Sequence, residues 1–113
     1  MTILEKSADD AVVLMLDGDI TMGEADACHL ARRVRRLIQG GHSRIILDVG
    51  HVRYVDSAGL GELVECCAAA RARGGSIVLL NATRRLVDLF TLTHLLGAFD
   101  FIDVYVGGSN RPG

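Results

Sequence analysis

The chain has 113 residues, half of them apolar, 4% aromatic and 23% charged, with a formal net charge of −2 at pH 7. That length makes one ordinary domain, able to bury roughly two-thirds of the surface its unfolded chain exposes, and leaves no room for a second. The apolar share excludes a disordered tail, and the mild acidity lacks the basic footprint that nucleic-acid binding requires.

In chain order, Thr2 to Lys6 and Ala11 to Asp17 are short segments rich in Ile, Val and Leu, separated by the turn candidate Ser7-Ala8-Asp9-Asp10. They predict a β-hairpin. After Gly18-Asp19-Ile20-Thr21 the period changes: Ala27, Leu30, Ala31, Val34, Leu37 and Ile38 recur at helical spacing and stop at Gly40-Gly41. Arg44 to Val49 predicts a buried strand. A helix opening at Asp56 or Ser57 then runs to Arg73, with Leu60, Leu63, Val64 and Cys67 on one face and Gly74-Gly75 as its stop. Ser76 to Leu80 predicts another strand and Arg84 to Leu96 a helix carrying Leu86, Leu89, Phe90 and Thr93 on one side. Phe101 to Val106 predicts the last strand.

The resulting expectation is an α/β domain over residues 1–106: a mixed sheet in which an opening hairpin is followed by a βαβαβ continuation, with helices covering the sheet. Parallel strands need such crossover helices, because the connection must return along the length of the sheet. Residues 107–113, Gly-Gly-Ser-Asn-Arg-Pro-Gly, read as a flexible tail. No apolar run approaches the ~20 residues of a membrane span. No secretory signal pattern opens the chain, so the expected location is cytoplasmic. Three cysteines, two of them adjacent, predict no disulfide framework and a reduced state.

The segment Val55-Asp56-Ser57-Ala58-Gly59-Leu60-Gly61 is the richest in chemistry. Asp56 or Ser57 can cap a helix start, which is worth about 1 kcal/mol. A cap does not explain Gly59 and Gly61, each of which costs roughly 1 kcal/mol against alanine inside a helix. Two explanations stay open: close packing of helix on strand, or a helix start kept bare so that another protein can reach the backbone and the Ser57 hydroxyl. The second suits a phosphorylation site, since a helix N-terminus favours an anion.

Catalytic readings are weaker. Val55 stands where a nucleophile elbow needs glycine, and His29, His42, His51 and His94 are scattered. Cys67 and Arg73 have the cysteine-phosphatase spacing, but the intervening Ala68-Ala69-Ala70-Arg71-Ala72 propagates a helix, so Cys67 is expected to point into the core as a thiol. No metal-ligand spacing, Walker loop or dinucleotide fingerprint occurs, so neither metal nor cofactor is expected and the chain has no visible means of binding ATP and phosphorylating anything itself. Arg32, Arg33, Arg35 and Arg36 read as a solvated helix face near a C-terminus, with docking to an acidic partner as the alternative.

The stretch from Asp48 to Gly61, ending Asp56-Ser57-Ala58-Gly59-Leu60-Gly61, resembles the signature of STAS domains, in particular the bacterial anti-sigma factor antagonists. Leu16-Asp17-Gly18-Asp19-Ile20 is similar to that family's early Leu-x-Gly-Glu-Leu/Ile, and Arg85 to Phe90 with Leu95-Leu96 is similar to its penultimate helix. The resemblance implies a partner-switching protein and not an enzyme. Its unphosphorylated form would bind an anti-sigma factor that is also an ATP-dependent serine kinase, releasing the sigma factor; phosphorylation would end binding, and a PP2C-type phosphatase would restore it. Carried over by position, Ser57 is the phosphoacceptor, and Asp19, Asp56, Ala58, Gly59 and Leu60 join it in the partner-binding surface, with Gly59 as the open backbone position. The alternative use of the same fold is a stand-alone ligand-sensing, scaffolding or transporter-accessory module. Ala58 replaces the motif's second serine, Thr93-His94-Leu95 stands where many members have Ser/Thr-Gly-Leu, and no helix is expected after Val106.

Overall fold

The opening segments form a hairpin, β1 (Thr2–Ala8) and β2 (Ala11–Ile20), in antiparallel register from Thr2 opposite Asp17 to Ala8 opposite Ala11. A computed structural model describes residues 2–8, 10–21, 25–92 and 102–106. The rest of the described chain alternates: α1 (Ala25–Gln39), β3 (Arg44–Val55), α2 (Ser57–Ala72), β4 (Ser76–Ala82), α3 (Arg84–Leu92) and β5 (Ile102–Val106). The sheet has the sequential order β1-β2-β3-β4-β5, and β2 to β5 are parallel to one another. The α/β class, the mixed sheet and the opening hairpin are as expected. The predicted ends of the third helix, residues 93–96, and the tail at 107–113 lie outside the described residues.

A sequential parallel order with right-handed crossovers carries every connecting helix to the same face of the sheet. One buried cluster lies between those layers. Leu14, Leu16, Ile45, Leu47, Val49, Ile77 and Leu79 supply the sheet side; Leu30 and Val34 of α1, Leu60 and Leu63 of α2, and Leu86 of α3 supply the helix side. Helix α1 ends as the glycine pair predicts. The Gly40 and Gly41 amides donate to carbonyls of the last turn, and Gly41 takes a φ of +101°, a left-handed conformation that glycine adopts without steric cost.

Strand β3 is six residues longer than the sequence pattern indicates, running to Val55 rather than stopping at Val49. Its register against β2 slips between Met15 and Asp17 and again between Gly18 and Ile20, so β3 carries one extra residue at each slip. These are β-bulges, and each delays the next inward position by one. Burial accordingly changes from alternate residues, Ile45, Leu47 and Val49, to every third residue, Val52 and Val55. Asp48 holds the first bulge: its Oδ1 accepts from the Gly50 amide at 3.0 Å and from Asn81 Nδ2 at 3.1 Å.

Candidate functional site

The bulged end of β3 feeds directly into α2, and the junction is stitched to the end of β2. The Asp56 amide donates to the Ile20 carbonyl at 3.2 Å. Asp56 itself has extended backbone and is the N-cap of α2: its Oδ1 accepts from the Gly59 amide at 2.7 Å, and its carbonyl accepts from Leu60 at 2.8 Å. The choice of cap left open by the sequence thus falls on Asp56. Ser57 is the first helical residue, exposed, and its hydroxyl has no hydrogen-bond partner among the described residues. An exposed hydroxyl at the positive end of a helix dipole is a favourable place for a group that becomes an anion.

The two glycines have different reasons. A Cβ on Gly59 would overlap the Ile20 carbonyl, so the missing side chain is what lets α2 lie directly on the end of β2. Gly59 is therefore buried and packed, not the open backbone position. Gly61 is the open one: it is exposed, and a Cβ there would meet nothing within 4 Å. Leu60 is 3% exposed and belongs to the core beneath the site. Asp19, Asp56 and Ala58 are half-buried, Asp19 one residue before the Ile20 carbonyl that binds the α2 start. The accessible surface is thus made by Asp19, Asp56, Ser57, Ala58 and Gly61, with Gly59 and Leu60 anchoring it from below.

Sequence reasoning missed Tyr54. It is a large aromatic side chain left 54% exposed, three residues before Ser57, on the bulged part of β3. Exposed aromatics of this kind are the commonest anchors of protein interfaces. The available signal was its place in a run of strand-like residues; the sequence pattern ended the strand at Val49 and so gave Tyr54 no face, whereas the strand runs on to Val55 and puts Tyr54 on the side away from the core.

The thiols do not form a reactive centre. Cys66, not Cys67, is the fully buried one, and burial pushes its pKa well up. Cys67 is half-buried, donates to the Leu63 carbonyl at 3.1 Å, and its pKa is pushed up to about 12 by burial. Both are protonated near neutrality and lack the thiolate a phosphatase needs. Arg73 sits at the C-cap of the same helix, with no phosphate loop between it and Cys67. Among the described residues no three His, Cys, Asp or Glu side chains gather, and no helix is long and apolar enough to cross a membrane.

The arginines of α1 are only partly a solvated face. Arg33 reaches Glu5 of β1 at 3.3 Å and Arg35 reaches Glu65 of α2 at 2.6 Å, so two of the four tie the helix to its neighbours.

Comparison with known proteins places these features in a family. The family model described as the STAS domain matches residues 3–106. The anti-sigma-B factor antagonist of Bacillus subtilis (strain 168) is 41% identical over 66 residues, 58% of this chain and 56% of that protein, so the match spans little more than half of the relative's length. The Bacillus cell fate determinant SpoIIAA, solved in its phosphorylated form, superimposes with a TM-score of 0.62 at 18% identity, covering 96% of this chain and 95% of that one. A sulfate transporter family protein from Wolinella succinogenes superimposes with a TM-score of 0.69 at 19% identity, covering 85% and 76%.

Proposed function

The chain belongs to the STAS domain family, and from that membership we propose that it is an anti-sigma factor antagonist switched by phosphorylation of Ser57. In the unphosphorylated state the surface of Asp19, Tyr54, Asp56, Ser57, Ala58 and Gly61 docks an anti-sigma factor that is also a serine kinase, and the sigma factor is released. Transfer of a phosphoryl group to Ser57 Oγ ends the complex, and a PP2C-type phosphatase removes it again. The chain supplies no catalytic step of its own and works in the cytoplasm. The observation that carries this reading is the division of labour at the α2 start: Asp56 takes the cap, so Ser57 Oγ stays exposed and unpartnered among the described residues.

The physical effect of the switch is local. A phosphate adds about −1.5 to −2 charges and three acceptor oxygens. On its own helix that charge faces the favourable end of the dipole. In a docked interface it must be desolvated beside Asp56, and unpaired buried charge costs several kcal/mol. The 41% identity to an anti-sigma-B factor antagonist supports the partner class.

A second reading has one observation in its favour, the similarity to the sulfate transporter family protein: the domain would then be a scaffolding, ligand-sensing or transporter-accessory module. Incubation with the cognate anti-sigma factor and ATP, followed by mass spectrometry, separates the two. The antagonist reading expects one phosphate, located on Ser57 and lost in Ser57→Ala; absence of phosphate on Ser57 would sink it.

A further inference from the structure

Helix α1 lays its buried stripe, Leu30, Ala31, Val34 and Ile38, on the sheet and leaves two polar flanks. Arg35 lies on the flank toward α2, where it meets Glu65. His29, Arg32, Arg33 and Arg36, spaced at i, i+3, i+4 and i+7, lie on the other, which faces β1 and walls an open cleft of about 750 Å³. Ile3 and Leu37 are the apolar side chains among its described lining residues. Glu5 is the one acidic side chain among the described lining residues and is already engaged by Arg33. Arg32 and Arg36 are exposed and have no ion-pair partner among the described residues. Among the described lining residues, three guanidinium groups against one carboxylate make this cleft cationic in a chain whose net charge is −2.

The cleft also runs along a free sheet edge. Among the described strands β1 pairs with β2 alone, so its outer backbone groups are open to a further strand. Cross-strand partners share a sheet face, and Ile3 stands opposite Leu16 and Glu5 opposite Leu14, both core residues. The side of β1 that carries Ile3 and Glu5 is therefore the side of α1. Leu4, 60% exposed, faces the other way.

We propose that this cleft docks an extended acidic segment of a partner protein, added as a strand to the outer edge of β1. Strand side chains alternate, so such a segment places every second residue under the α1 flank. Carboxylates at those positions meet Arg32, Arg33 and Arg36 in charge-assisted hydrogen bonds, and uncharged residues between them pass over Leu4. The recognised pattern is acid at i, i+2 and i+4. A compact polyanion would use the same arginines without the edge, which makes strand periodicity the distinguishing feature.

Isothermal titration and amide chemical shifts of the full chain test this with three probes. One is a ten-residue peptide with glutamate at every second position and threonine or valine between; the others are an isomer with the glutamates contiguous, and inorganic tripolyphosphate. The alternating peptide is expected to bind, to shift the amides of Ile3, Glu5 and α1, and to weaken at higher salt. Arg32→Ala combined with Arg36→Ala, both at exposed positions, is expected to cost at least ten-fold in its affinity while leaving the melting temperature unchanged. Equal binding of the contiguous isomer or of tripolyphosphate would overturn the proposal, as would undiminished binding by the double variant or no binding of the alternating peptide. Neither the anti-sigma factor nor Ser57 enters the measurement, so its outcome is independent of the phosphoswitch.

Discussion

At the residue scale the α2 start turns on two glycines that sequence alone treats alike. A methyl group on Gly59 must displace the Ile20 backbone, whereas one on Gly61 enters open space. Gly59→Ala is expected to destabilise the domain by about 1–3 kcal/mol or more, as overpacking does, while Gly61→Ala gains about 0.5–1 kcal/mol by limiting the unfolded chain. Urea unfolding of the two variants beside the parent checks the contrast, and similar losses in both would refute the packing assignment. The buried thiols give a second expectation. Cys67 is held protonated up to about 12, against an ordinary value of 9.0, and Cys66 is shifted the same way. A thiol whose folded pKa is raised contributes its full stability below the unfolded pKa. Above that value the unfolded chain loses a proton that the folded chain keeps. Stability should therefore fall as pH rises from about 9 toward 12, by up to about 1.4 kcal/mol per unit for Cys67, with Cys66 acting in the same direction. Unfolding under reducing conditions at pH 8, 10 and 11 measures the slope, and Cys67→Ala should lessen it.

At the element scale the bulged β3 decides where the site points. Asp48 closes the first bulge through Gly50 and Asn81, and Asn81 holds a φ of +60°, a left-handed conformation that β-branched residues resist. Asn81→Val should cost about 2–4 kcal/mol, the sum of a lost bond to a charged group and backbone strain, and Asn81→Gly should recover the strain component. Thermal melts of the pair test this; equal losses would mean that the backbone conformation contributes nothing. The same strand shows what a sequence can and cannot disclose. The hairpin, the helix periods and the Gly40-Gly41 stop were legible because each is local chemistry: alternation, 3.6-residue spacing and a left-handed cap. The extension of β3 to Val55 was not, because two inserted residues convert the period-two pattern into Val49, Val52, Val55, which matches no regular strand. The candidate site divided along the same line. Ser57 and Asp56 could be read from motif and capping chemistry and Leu60 from its place on the apolar face of the helix, but that Gly59 and not Gly61 is the packed glycine depends on how α2 meets the end of β2, and the exposure of Tyr54 lay beyond the strand the pattern ended at Val49.

At the scale of the whole molecule, one face of the sheet is occupied by helices, and the β2 end, the bulged β3 end and the α2 start meet at one place. A phosphate there would nearly double a net charge of −2, yet it would sit on an exposed first-turn residue and cross no packed interface among the described residues. The proposed switch would accordingly need no rearrangement of the fold and would act on what can dock. The most direct measurement is calorimetric titration of the cognate anti-sigma factor with the unphosphorylated protein and with the same protein phosphorylated at Ser57, alongside their thermal melts. The account predicts at least a hundred-fold loss of affinity, about 2.7 kcal/mol, with melting temperatures within a few degrees of each other. Equal affinity of the two forms, or a loss that appears only together with unfolding, would contradict it.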